Sequence, residues 1–490
     1  MIDLFYLTTK QTNNMYELGD IICQTTGELL SLFDLIDKYD YAFVNDNFNL
    51  VWADICKKLN NAGYDNDFEI KANKQYSFIY QSGSCLEITI RNEQGKYTRI
   101  VNFAKKFNTE FSDLETNQKL LAYAEQKDRH SITLGNDAFQ EWLRYCFKVR
   151  HRTLNVNACR SVFRREYPVL SDSETNICET AKNYVAGFQY VKTGRFQNLY
   201  YYDICSSFPA QLMNATPKDA PIKLNSVSEV KPNYFYIVKF TSIGTKLKPN
   251  CIDVFNCKDI CTLTLTEHLF NLFKKNYTYT AIQEHFVLAF KTRANQFFDF
   301  VYDNVIKGKE QETDKDIARY NKAIANSVVG YFGKRTITEQ NCIMERNGKK
   351  AILTRKVKSQ PIYQPIYLFV NGKAKSEFID TLQRIVGLDN LVYANTDGFL
   401  TTKPIDLNML NFGRGSVIGC FKFKCKFVDI QINSINGYVG ITDTGKTEQV
   451  VSGVSLTGAI TPEQYSKQQF SYDIQEFDEN TGLICTRHIE

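Results

Sequence analysis

The segment Leu199-Tyr200-Tyr201-Tyr202-Asp203-Ile204-Cys205-Ser206-Ser207-Phe208-Pro209 constrains the fold of this chain more than any other. An apolar, aromatic run that gives way to small residues and a proline reads as a buried strand ending at a turn. The strand closes on a carboxylate, Asp203. A charge at the end of a buried strand needs a counter-ion or a metal, because an unpaired ion out of water is costly. A bare acid at such a strand end invites a cation.

At 490 residues the chain is too long for one core and calls for roughly two to four packed units. With 43% hydrophobic and 23% charged residues it is globular, which excludes disordered and fibrous classes. The net charge of +5 is small, so any nucleic-acid binding has to come from local basic patches. No apolar run reaches the roughly 18 residues of a membrane span. The start, Met1-Ile-Asp-Leu-Phe-Tyr6, lacks the basic region and cleavage site of a secretion signal, so the expectation is a cytoplasmic protein with no membrane partner. The 14 cysteines are scattered singly, and the tightest group, Cys251, Cys257 and Cys261, has no C-x-x-C pairing. Free thiols are expected there, not zinc. The five histidines form no local ligand pair.

Residues 1–150 alternate short strands (Tyr76–Tyr80, Leu86–Ile90, Arg99–Phe103) with helical patterns at Val51–Leu59 and Phe139–Val149, an α/β pattern. A basic segment with Lys148, Arg150, His151, Arg152, Arg160, Arg164 and Arg165 follows. Farther on, Lys315, Arg319, Lys322 and Asn326 fall on one face of a predicted helix, with Tyr320, Ile324 and Val328 on the other. Asn395-Thr-Asp-Gly398, between Leu391-Val-Tyr393 and Phe399-Leu-Thr-Thr402, is a hairpin signal. Taken alone, Asp397 reads as turn chemistry.

In combination these segments mean more. Asp203, Ser206, Phe208 and Pro209 resemble the D-x-x-S-L-Y-P signature of family B DNA polymerases. Lys322-Ala-Ile-Ala-Asn326-Ser327 and Tyr393-Ala-Asn-Thr-Asp-Gly398 resemble that family's second and third signatures, K-x-x-x-N-S-x-Y-G and Y-x-D-T-D-S, in the same order. Tyr184-Val-Ala-Gly187-Phe188 is similar to the Y-x-G-G element of the protein-primed subfamily, with Ala186 at the first glycine. The stretches Pro361–Pro365 and Ser452–Ser455 resemble that subfamily too.

The resemblance implies an α/β (α+β) multidomain fold: a right-hand polymerase with palm, fingers and thumb behind an N-terminal ribonuclease-H-like, exonuclease-type domain. Its units would be the exonuclease-like domain (1–150), a basic linker (151–195), palm and first insertion (196–285), fingers (286–335), second insertion and palm (336–438), and thumb (439–490). The activity implied is template-directed transfer of dNTPs to a 3′ or terminal-protein hydroxyl, as in protein-primed replication of a small linear genome. Its partners would be DNA template and primer, dNTPs and a terminal protein.

Such chemistry uses two Mg2+ ions about 3.5–4 Å apart, for which Mn2+ can substitute. The resemblance implies Asp203 and Asp397 as catalytic metal ligands, with the Ile204 carbonyl as a third oxygen donor. Ser206, Phe208, Arg319, Lys322, Asn326, Tyr393 and Thr396 would bind the nucleotide, with Lys307 or Lys309 assisting. Tyr184, Gly187, Phe188 and Tyr438 would contact DNA. The ring of Phe208 would exclude a 2′ hydroxyl.

Several positions depart from the family. Asn395 replaces the first aspartate of the third signature, Val329 the tyrosine of the second, and Asn436 a primer-gripping lysine. In the N-terminal unit, Leu4, Tyr6, Val51 and Tyr145 align with the four exonuclease carboxylates, so no proofreading is expected. The alternative is a catalytically impaired scaffold on DNA or a priming protein. A reverse transcriptase is disfavoured, since Y-x-D-D is absent.

Overall fold

The computed structural model describes, with their side chains, residues 167–294, 296–334, 363–406, 418–451 and 458–472, plus Lys119, Leu120, Tyr123, Gln126 and Leu456. It also describes the backbone of strands lying within 6–102, 337–358, 455–456 and 472–489. The expected helices at 51–59 and 139–149, the basic segment 148–165, and the exonuclease positions 4, 51 and 145 lie outside the described residues, and of Tyr6 only the backbone is described.

The three N-terminal strands read from the sequence are present as Gln75–Gln81, Cys85–Arg91 and Tyr97–Asn102, paired antiparallel. Parallel strands Tyr6–Leu7 and Ala42–Phe43 extend the sheet on one side. The hairpin Ile337–Arg346/Lys349–Lys358 joins on the other, at Asn341 opposite Tyr80.

The central sheet consists of β1 (Gln189–Val191), β2 (Gly194–Phe196), β3 (Leu199–Ile204), β4 (Leu391–Asn395), β5 (Gly398–Thr401), β6 (Phe421–Ser434), β7 (Gly437–Thr442) and β8 (Thr447–Val451). Its order is β1-β4-β5-β3-β6-β7-β8, with β2 on β6. Side chains alternate across a strand, so β3 feeds two cores. Tyr200 and Tyr202 join the large core, and Leu199 and Tyr201 a smaller cluster with Val392, Leu400, Phe427 and Ile432. Tyr202 stacks on Phe399 at 5.3 Å.

Helix α1 (Asp172–Val185) starts at Ser171 with a capping box closed by Glu174. Helix α2 (Ser207–Leu212) follows β3 directly. A six-stranded antiparallel sheet built on Tyr234–Leu247, Asp259–Thr266 and Ala281–Arg293 stands apart from the central one, with α3 (Glu267–Asn276) packed on it through Phe270 and Phe273 against Phe240. Helix α4 (Lys315–Phe332) is capped by Asp314, whose carboxylate accepts from the N–H groups of Asp316 and Ile317. Helix α5 (Pro365–Thr381) runs buried behind the central sheet, setting Phe378 against Phe399 and Phe421.

Two expected boundaries shift. The helix pair read over 286–335 begins only at Phe298, because Phe286–Arg293 completes a strand whose aromatic and β-branched residues pair with Tyr234–Leu247. The central sheet also continues past residue 439, through β7 into β8. Cys257 and Cys261 are disulfide-bonded, correcting the expectation of free thiols. Left-handed turns at Asn256 and Asp259 fold the segment so that their Cα atoms lie 5.8 Å apart, a juxtaposition that spacing alone does not reveal. Among the described residues, no helix is long and apolar enough to cross a membrane.

Candidate active site

Strand β3 pairs with β5 so that Asp203 stands opposite Gly398, the residue after Asp397. The N–H of Ile204 donates to the carbonyl of Asp397 at 3.0 Å, locking the β4–β5 turn onto the strand end. Two acids 194 positions apart are thereby neighbours. Burial first, and the Asp203 charge second, push the Asp397 carboxyl up to about 6, while Lys322 and Lys424 pull it down.

The turn itself is held from outside. Thr396 is left-handed at φ 63°, costly for a β-branched residue, and its N–H donates to the carbonyl of Phe188 at 2.8 Å. Gly187, next to Phe188, packs directly against Thr396. The buried ammonium of Lys375, pushed down to about 8 by burial, donates to the carbonyl of Tyr184 at 2.7 Å, in the last turn of α1. The segment Tyr184–Phe188 is thus a brace between α5 and the acidic turn.

Cations face the acids from two sides. On α4, Lys315, Arg319, Lys322 and Asn326 are exposed while Tyr320, Ile324 and Val328 are buried, as the helical stripes imply. Lys309 donates to the hydroxyl of left-handed Ser206 at 2.6 Å. Burial, then Lys322 and Lys422, lower its pKa. Lys307 instead pairs with Asp303 and lies over the Tyr302 ring. Of the two, Lys309 is the one that meets Ser206, close after Asp203 in the chain. The helical turn that aims it is tied to α4 by the Asn321 amide donating to the Gly308 carbonyl at 2.9 Å.

From β6 come two lysines that the sequence reading missed. Lys424 Nζ lies 3.2 Å from Asp203 Oδ2, and Lys422 Nζ lies 4.0 Å from it. The alternation of Phe421-Lys-Phe-Lys-Cys-Lys426 was a visible signal, but only strand pairing shows which lysines meet the acid.

The other expected site residues lie close by. Phe208 is half-buried on α2, against the large core. Tyr393 is buried, its hydroxyl donating to the carbonyl of Ile435 at 2.7 Å, and Tyr438 packs edge-on to it at 5.7 Å. Tyr438 is thus an interior ring, with its hydroxyl near enough to feel Asp203. The Asn395 amide donates to the Tyr393 hydroxyl at 3.3 Å, and its carbonyl accepts from the Thr396 hydroxyl at 3.1 Å. Among the described residues no group of three His, Cys, Asp or Glu side chains is placed to hold a metal. The donor set does fit magnesium, which takes hard oxygens and typically only one or two carboxylates plus substrate phosphates.

Residues 98–398, well over half of the chain, match the family described as DNA polymerase type B, organellar and viral. The chain belongs to the type B DNA polymerases. It is accordingly a DNA-directed DNA polymerase, and its three signature segments converge on one site. The fold agrees with solved polymerase structures. Phi29 DNA polymerase complexed with primer-template DNA and incoming nucleotide substrates superposes with a TM-score of 0.73 at 16% identity, covering 96% of this chain and 93% of that one. An orthorhombic crystal form of phi29 DNA polymerase gives 0.72 at 15% identity, covering 99% and 100%. This type B polymerase therefore has the multidomain right-hand fold. None of the curated proteins matches it.

Proposed function

We propose that this polymerase adds deoxynucleotides to a 3′ or protein-borne hydroxyl, directed by a template, with Asp203, Asp397 and the Ile204 carbonyl holding two Mg2+ ions. The pairing of Asp203 beside Asp397 carries the reading. Asp203 raises the proton affinity of the buried Asp397 beside it, a charge crowding that a divalent cation relieves. When bound, such ions lower the pKa of the attacking hydroxyl and neutralise charge on the phosphates.

The chain's own residues do the rest. Lys322 and Lys309 hold the triphosphate and neutralise charge moving to the leaving pyrophosphate, with Arg319 beside them on α4. Ser206, fixed by Lys309, and Thr396, fixed by Phe188, shape the nucleotide pocket. Asn326 lies one turn beyond Lys322 on the same face. Phe208 presents its ring to the sugar. Tyr184, Gly187 and Phe188 brace the acidic turn and face the template strand, and Tyr438 supports Tyr393 beneath the primer end.

The primer-template DNA and nucleotides found with phi29 DNA polymerase are the partners proposed for this chain. A terminal protein as primer and an exonuclease-like unit without proofreading follow from the subfamily resemblance of Tyr184–Phe188 and from Leu4, Tyr6, Val51 and Tyr145. Palm, fingers and thumb follow the units 196–285 with 336–438, 286–335 and 439–490, with the fingers helices starting at Phe298 and the palm sheet running on through β8.

Primer extension with Mg2+ or Mn2+ tests the reading. Asp397→Ala is expected to lower the rate by orders of magnitude. Equal rates for the two proteins would overturn it.

A further inference from the structure

Strands β3 and β6 do not pair evenly. Tyr201 faces Cys425 and Tyr202 faces Phe423, so Lys424 is an extra residue in β6, a bulge one step from the acid. Lys422 and Lys424, two positions apart, share a face by strand alternation, and the bulge leaves Lys424 with no residue opposite it in β3, one step from Asp203. Both ammonium groups reach the same carboxylate oxygen, at 3.2 and 4.0 Å. Lys322, Lys422 and Lys424 thus face two acids, with Lys309 close by on Ser206, and the position where a third acid would stand is Asn395.

Resting on the two-metal reading above, we propose that Lys424 is a resident counter-cation of Asp203 that a divalent ion must displace. Asp203 cannot offer the same oxygen to an ammonium and to a metal at full strength. The nucleotide-free site therefore binds divalent ions weakly. The ion enters with the incoming triphosphate, whose oxygens receive the displaced ammonium. Lys424 is a positioning residue in this scheme: it sets when the metal arrives.

Mn2+ titration of the full chain without DNA or nucleotide, followed by the loss of the free-ion electron paramagnetic resonance signal, tests this. Lys424→Met is expected to bind Mn2+ roughly five-fold more tightly than the unmodified chain, the worth of a half-exposed ion pair. Lys422→Met, whose lysine stands farther off, is expected to gain less, and Lys424→Arg to stay near the unmodified value. Circular dichroism of each variant establishes that it is folded. If Lys424→Met binds Mn2+ no more tightly while Asp397→Ala abolishes binding, the counter-cation role is wrong and the metal site stands. If Asp397→Ala binds as the unmodified chain does, both ideas fall.

Discussion

A β-carbon added to Gly187 would lie 2.7 Å from the hydroxyl of Thr396, closer than such atoms ever stand. The contact links the end of α1 to the turn that carries Asp397. Gly187→Ala must push Thr396 aside or break the bond from its N–H to the Phe188 carbonyl, so polymerisation is expected to fall about ten-fold or more, a 1 Å misplacement being enough. A loss of a few degrees in thermal midpoint should accompany it. Unchanged activity and melting would show that the brace is dispensable.

Asp397 gives a pH signature. Burial, and then Asp203, push its carboxyl in the folded chain up to about 6 from an ordinary 3.8. An acid with a raised folded pKa costs stability. That cost is absent below 3.8, grows as pH rises, and is complete above about 6. In a metal chelator, Asp397→Asn should therefore melt higher than the unmodified chain at about pH 8 and nearly level with it at about pH 3. A melting gain independent of pH would sink the assignment.

Lys309 and Lys307 should separate cleanly. Lys309 meets Ser206 beside the acids, whereas Lys307 is engaged by Asp303 and Tyr302. Lys309→Met is expected to raise the KM for dNTPs or lower kcat/KM by about ten-fold or more, a charge-assisted contact to phosphate being lost. Lys307→Met should leave both within about two-fold, in line with the small worth of exposed pairs. Steady-state kinetics on a primed template decides.

Phe208 tests sugar selection. Its ring is held half-buried against the large core, a fixed wall in place of a flexible one. Phe208→Val removes volume without adding polarity, and misincorporation of ribonucleotides in a gel-based extension assay is expected to rise. No rise would show that the 2′ position is read elsewhere.

Much of this was legible without coordinates. Leu199–Ile204 is a strand because its alternating apolar and aromatic side chains supply two cores at once. Asn395-Thr-Asp-Gly398 is a turn because those residue types favour one, and the α4 stripes follow from helical period. These are local properties, fixed by side-chain shape and backbone preference. The end of strand Ala281–Arg293 was read into the helix pair because a short apolar run suits either element until a partner strand claims its hydrogen bonds.

The sequence by itself determined the strand, the turn and the basic helix, together with the order of three signatures that identifies a polymerase. Only the tertiary structure decided which charges meet. The Asp203–Asp397 pairing depends on β3 lying beside β5, the contact of Lys309 with Ser206 on the helical turn tied to Asn321, and the reach of Lys422 and Lys424 on β6 lying along the other edge of β3. Register and bulges are set by long-range packing, and shifting them by one residue turns a side chain to the other face. That is why local pattern names the acids and cannot name their counter-ions.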